Sequence, residues 1–120
     1  MVNFNIYIEE KENYVVLKTD GYINNLGGRA IADKVEEYTE KGFKHFVINF
    51  EKSEILNSIG ACILIEVLDG LLELKGKLKF SNCIAIIAQT MEIMGITKFV
   101  EIYETQAMAE EAMQADIKKS

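Results

Sequence analysis

The sequence has 120 residues, of which 49% are hydrophobic, and its formal net charge is −6 at pH 7. A chain of this length and composition is expected to form one domain over residues 1–120, with a hydrophobic core that needs neither disulfides nor metal. The acidic balance, without a cluster of lysines or arginines, argues against direct binding to nucleic acid or to an anionic membrane.

Two strand-like segments open the chain, and a charged turn joins them. The segments Asn3–Ile8 and Tyr14–Thr19 are rich in β-forming side chains, and Glu9–Asn13 lies between them. This pattern predicts two neighbouring antiparallel strands. A helix with apolar residues at helical spacing follows, and it is predicted to end at Lys41-Gly42, because glycine favours the position just after a helix.

The middle of the chain alternates between strand and helix patterns. Phe46–Phe50 is apolar almost throughout, which is typical of a central strand that is covered on both faces. A strongly hydrophobic helix is predicted from about Ile59 to Leu74. Another strand, Leu78–Asn82, is predicted after it.

The last part of the chain is predicted to add a helix, a short strand and a final helix. The segment Cys83–Met94 is ambiguous, because Ile84–Ile87 could also extend the preceding strand. We predict a helix, since the apolar spacing continues past the β-like run. A strand at Phe99–Tyr103 follows, and then a final helix that Thr105 caps and that runs to about Ile117. The alternation predicts an α/β fold with a mixed central sheet of about five strands packed by about four helices.

The chemistry-bearing residues of the chain are few and scattered. Its cysteines, Cys62 and Cys83, lie in apolar segments and are expected to be buried free thiols, and its one histidine, His45, is expected at the solvated start of a strand. The sequence shows no metal-ligand spacing, no phosphate-binding glycine loop and no nucleophile–base constellation. We therefore expect no metal, no cofactor and no enzymatic activity.

The apolar segments are too short or too interrupted to cross a membrane. Glu66, Asp69 and Glu73 break the longest of them, and a membrane helix needs about 20 apolar residues. The first residues, Met1–Phe4, lack the basic region of a secretory signal. The expected location is therefore the cytoplasm.

The most informative segment, Leu56–Gly60, connects the central strand to the hydrophobic helix. A serine at this junction, Ser58, can cap the helix by accepting a hydrogen bond from a free backbone N–H, and Asn57 can do so equally well. A helix N-terminus also favours an anion. Ser58 is therefore a candidate for phosphorylation, that is, for a switch rather than a nucleophile.

In the order and spacing of its motifs, the chain resembles the STAS domains of bacterial anti-sigma factor antagonists. The family has two apolar residues and then Asp-Ser-(Ser/Thr)-Gly at the start of a helix, and Ile55–Gly60 occupies that place here. Gly21–Asn24 matches an early Gly-x-apolar-Asp turn of the family. Later positions match at Lys75–Leu78, Met94–Ile96 and Phe99-Val100, so that the likeness covers nearly the whole chain.

The resemblance implies that the protein binds an anti-sigma factor with serine kinase activity, frees a sigma factor for transcription, and is released when the partner phosphorylates Ser58. It also implies that Asn24, Asn57, Ser58, Ile59 and Gly60 form the partner-binding site. Asn24 and Asn57 stand where the family has aspartate, and Ile59 replaces its second hydroxyl residue. The alternative is a STAS scaffold or ligand-sensing interaction module that is never phosphorylated.

Overall fold

The computed structural model describes residues 4–119. Its strands are β1 (Asn5–Glu10), β2 (Val15–Asp20), β3 (His45–Lys52), β4 (Lys77–Ser81) and β5 (Glu101–Tyr103). Its α-helices are α1 (Asn25–Glu40), α2 (Ser58–Glu73), α3 (Ala85–Ile93) and α4 (Gln106–Lys119), and a 3₁₀ turn (Ile96–Lys98) follows α3. The predicted α/β fold, with a mixed sheet and four helices, is confirmed.

The strands lie in the sheet in the same order as in the chain, β1-β2-β3-β4-β5. β1 is antiparallel to β2, and the other neighbours are parallel. The predicted opening hairpin is therefore confirmed, although its first strand begins at Asn5; Asn3, where it was predicted to begin, lies outside the described residues. Because the order never reverses, right-handed crossovers place α1, α2 and α3 on one face of the sheet.

The side chains of β3 divide the core into two parts. Phe46, Ile48 and Phe50 belong to a large hydrophobic cluster that includes the buried residues of α1, α2 and α3. The ring of Phe50 meets that of Phe80 edge-on, with the centroids 5.1 Å apart. Val47 points to the other face, where a smaller cluster packs against α4. The central position predicted for this strand is thus confirmed.

Two predictions about single side chains are wrong. Cys62 is exposed, because it lies four residues after Ser58 on the outward face of α2. His45 is buried rather than solvated, at 8% exposure, because β3 starts at this residue and pairs there with the first residue of β4. Its Nδ1 accepts a hydrogen bond from the backbone N–H of Lys77 at 3.1 Å. Burial, reinforced by the charges of Lys44 and Lys77, lowers the pKa of His45.

The second cysteine, Cys83, is half-buried between β4 and α3. Burial raises the pKa of its thiol to about 12, so that it stays protonated near neutral pH.

Within residues 4–119, no helix has the length and apolar character that a membrane span requires.

Candidate functional site

The loop after β2 and the loop after β3 are joined at the carboxyl edge of the sheet. Ile23 and Leu56 form a parallel bridge outside the main strands. The N–H of Ile23 donates to the carbonyl of Ile55 at 2.9 Å, and the N–H of Asn57 donates to the carbonyl of Ile23 at 3.2 Å. This short backbone ladder fixes the N-termini of α1 and α2 beside each other.

An asparagine caps each of these two helices. The Oδ1 atom of Asn24 accepts the backbone N–H groups of the second and third residues after it, both at 3.0 Å. The Oδ1 atom of Asn57 accepts the N–H of Gly60 at 2.8 Å, and its Nδ2 donates to the hydroxyl of Tyr22 at 3.3 Å. Of the two caps that the sequence allowed for α2, the structure therefore selects Asn57, and Ser58 is the first residue of the helix.

The capping amides have an electrostatic consequence. Asparagine caps a helix about as well as aspartate does, but it brings no charge. Within the described residues, the first turns of α1 and α2 contain no acidic side chain either. The partial positive charges of the two helix ends are therefore not offset by a carboxylate at the caps or in the first turns.

Gly60 makes the close approach of these segments possible. It is buried, and a Cβ atom at this position would overlap the carbonyl oxygen of Ile23. Only glycine lets the first turn of α2 lie directly against the loop that follows β2. Gly60 is therefore a buried supporting residue of the site, and it positions the exposed Ser58 and Ile59.

Three large apolar side chains are exposed near the N-termini of α1 and α2. Leu26 is 72% exposed, Ile55 53% and Ile59 55%. We call these three residues the apolar rim. Leu26 lies in the first turn of α1, Ile55 in the loop before α2, and Ile59 directly after Ser58 in the first turn of α2. Sequence reasoning included Ile59 but missed Leu26 and Ile55, which could have been found as apolar residues within two positions of a helix cap.

The structure brings all five predicted site residues together. Asn24 and Asn57 cap the adjacent helices, Ser58 and Ile59 are exposed at the start of α2, and Gly60 supports them from below. Elsewhere in the described chain, residues 4–119, no group of three or more His, Cys, Asp or Glu side chains is arranged to hold a metal ion. The edge of the sheet that carries Ser58 thus presents exposed side chains on two loops that are joined by backbone hydrogen bonds.

Comparisons with known proteins identify the family and the solved structures that share this architecture. The family model described as the STAS domain matches residues 5–109. Among solved structures, an anti-sigma factor antagonist from Mycobacterium paratuberculosis superposes with a TM-score of 0.81 at 19% sequence identity, over 93% of this chain and 95% of that chain. A search of curated proteins finds no significant match.

The structure is also similar to that of the anti-sigma factor antagonist SpoIIAA. The unphosphorylated form gives a TM-score of 0.79 at 15% identity, over 92% of this chain and 97% of that chain. The phosphorylated form, from Bacillus, gives 0.72 at 16% identity, over 90% and 98%. Identities this low show a shared fold. Because the family model covers most of the chain, the protein belongs to the STAS domain family.

Proposed function

We propose that this protein is an anti-sigma factor antagonist. Its unmodified form binds an anti-sigma factor with serine kinase activity, and phosphorylation of Ser58 ends that binding. Asn24, Asn57, Ser58 and Ile59 face the partner, and Gly60 supports them. The observation that carries the proposal is the exposed position of Ser58 at the first residue of α2, next to the loops that the Ile23–Leu56 bridge joins.

The apolar rim supports a protein as the ligand of this surface. Leu26, Ile55 and Ile59 are each more than half exposed, and apolar side chains at the centre of an interface supply much of its binding free energy. The joined loops keep these side chains in place before binding, so that little conformational entropy is lost when a partner docks.

The same surface explains how phosphorylation would act as a switch. A phosphate on Ser58 adds about −1.5 to −2 charges at pH 7. In the free protein, the N-terminus of α2 stabilises this charge by about 0.3–1 kcal/mol. In a complex the phosphate must lose water among apolar side chains, which costs several kcal/mol unless the partner supplies a cation. Desolvation is the larger effect, and phosphorylation therefore opposes binding.

The proposal includes a cellular role. The protein acts in the bacterial cytoplasm and regulates transcription through its partner rather than by contacting DNA. It needs no cofactor, has no catalytic activity of its own, and does not bind a membrane. Its one covalent change is made by the partner, which transfers the γ-phosphoryl group of ATP to the hydroxyl oxygen of Ser58, so that ADP leaves and the hydroxyl proton is released.

The test is direct. The protein is purified from its native cells, and its intact mass and mobility in phosphate-affinity gels are measured, with Ser58→Ala as the control variant. We expect a fraction of the wild-type protein to carry one phosphate and the control to carry none. Wild-type protein without phosphate under all growth conditions, or an equally phosphorylated control, would contradict the assignment.

The capping amides favour a second candidate, a scaffold that is never phosphorylated. Asn24 and Asn57 stand where the early turn and the helix-start motif of the family each have aspartate, and their Oδ1 atoms are already engaged in capping. A partner that reads carboxylates at these positions would find none. In this case the apolar rim would still bind a protein, and binding would be the same for Ser58→Ala and for the wild type under all conditions.

A further inference from the structure

Helix α4 packs on the sheet differently from the other three helices. In the described chain, the small cluster beneath it contains the buried residues Tyr14, Val16, Val47, Ala109 and Met113. Of these, Ala109 and Met113 belong to α4, and Ile117 of α4 packs against the cluster while only partly buried. The buried residues of α1, α2 and α3, in contrast, share one large hydrophobic cluster on the opposite face. Little apolar surface therefore holds α4 to the sheet.

A buried lysine makes one of the polar attachments of α4. The Nζ atom of Lys79, on β4, lies 2.7 Å from Oδ2 of Asp116 on α4 and 2.9 Å from Oε1 of Glu101 on β5. The Lys79 side chain is only 6% exposed. Burial disfavours its charged form, but the hydrogen bonds to Asp116 and Glu101 outweigh burial and raise the pKa of Lys79. The ammonium is thus charged and paired while the helix is in place.

Further polar attachments lie nearer the start of α4, and they include a hydrogen bond from Nε2 of Gln106 to Oε1 of Glu9 at 3.2 Å and an ion pair between Lys11 and Glu110 at 3.8 Å. The Nδ2 atom of Asn49 donates to Oε1 of Gln106 at 2.9 Å. The hydroxyl of Tyr14 donates to Oε1 of Glu110 at 2.6 Å and accepts from Nε2 of Gln114 at 3.1 Å. Hydrogen bonds and ion pairs of this kind are exchanged for bonds to water when a helix leaves, so the net loss per bond is small.

We infer that α4 is a detachable helix, which opens from the sheet as a unit while the rest of the protein stays folded. Segments with few buried apolar contacts open locally at lower free energy than the core, and α4 contributes only Ala109 and Met113 as buried residues, in a small cluster that is separate from the main core. Opening uncovers Val16 and Val47 and frees the ammonium of Lys79. Opening of α4 thus exposes a partly cationic surface on the face of the sheet opposite to α1–α3, in addition to the surface around Ser58.

The test is hydrogen exchange, followed by mass spectrometry, on the full chain and on two matched variants. Met113 of α4 and Met91 of α3 are both fully buried. In the wild-type protein we expect the amides of α4 to exchange roughly tenfold faster, or more, than those of β3 after correction for intrinsic rates. Met113→Ala should speed exchange in α4 by tenfold or more, in line with the usual loss for this truncation, without changing β3.

The control variant has a different expected result. Met91→Ala removes the same groups from the large cluster and should speed exchange in β3 and α2 through loss of global stability. A third variant, Tyr14→Phe, deletes only the hydroxyl that contacts Glu110 and Gln114, and should speed exchange in α4 alone. Equal protection of α4 and β3 in the wild type, or equal acceleration of both in Met113→Ala, would overturn the proposal.

Discussion

The Oδ1 atom of Asn57 lies 2.8 Å from the backbone nitrogen of Gly60 and caps α2, so the cap does not depend on the adjacent Ser58. We therefore expect Ser58→Ala to change the free energy of unfolding by less than about 0.5 kcal/mol. Asn57→Ala should lower it by about 0.5–2 kcal/mol. Urea denaturation of both variants measures the difference, and an equal or larger loss in Ser58→Ala would show that the serine is the true cap.

Substitution of the proposed phosphorylation site separates a switch from a scaffold. We expect Ser58→Ala to bind the anti-sigma factor kinase as the wild type does, because the apolar rim is intact, and Ser58→Glu to bind more weakly. Full phosphorylation should weaken binding by roughly a thousandfold, equivalent to about 4 kcal/mol. Titration calorimetry gives the affinities.

The control for this series is Thr97→Glu, which adds the same charge at an exposed position on the 3₁₀ turn. Its affinity should remain that of the wild type. Equal affinities of wild-type, Ser58→Glu and phosphorylated protein would remove the switch and leave the scaffold.

The amide at the cap offers a gain-of-function test. Asn57→Asp keeps the cap and adds a carboxylate beside Ser58, which restores the residue of the family motif. We expect a higher rate of phosphorylation by a kinase that recognises this domain. Radiolabel incorporation over time measures it, with Asn5→Asp, on an exposed position of β1, as the control for added charge. An unchanged rate would show that Asn57 does not limit recognition.

Two glycines of α2 should respond in opposite directions to the same change. Gly60→Ala would drive a methyl group into the carbonyl of Ile23, and we expect it to lower the free energy of unfolding by about 1–3 kcal/mol. Gly70→Ala meets no atom within 4 Å and should raise it by about 0.5–1 kcal/mol through helix propensity. Thermal and urea unfolding compare the pair. A tolerated Gly60→Ala would mean that the two loops are not in contact in solution.

The buried histidine makes stability depend on pH. Burial first, and then the nearby Lys44 and Lys77, lower the pKa of His45 below its ordinary value of 6.5. The unfolded chain therefore binds a proton below about pH 6.5 that the folded protein does not bind until lower pH. Stability should be complete above this value and decrease as the pH falls from there through the folded pKa. His45→Leu should have a flatter profile, and equal slopes for the two proteins would contradict the assignment.

The order of the elements could be predicted from periodicity, whereas the burial of single side chains could not. The helix predicted at Ile59–Leu74 is found at Ser58–Glu73, because a long apolar segment after a cap leaves few alternatives. The predicted exposure of His45 is wrong because its burial depends on the pairing of β3 with β4. The predicted burial of Cys62 is wrong because its exposure depends on the rotation of α2 about its axis. The role proposed for Leu26 and Ile55 depends on a contact between distant segments, the bridge that joins the loops, and such contacts leave no periodic signal.

The order of the strands has a consequence for how the protein folds. Because each strand pairs with the next one along the chain, every pairing closes a segment no longer than one helix and its two turns. Loop-closure entropy slows the pairing of segments that are distant in the sequence. In this protein no strand pairs with one that lies several elements away in the chain. Folding can proceed by adding one strand and one helix at a time. We expect this chain to fold faster than proteins of similar size in which the strand order reverses.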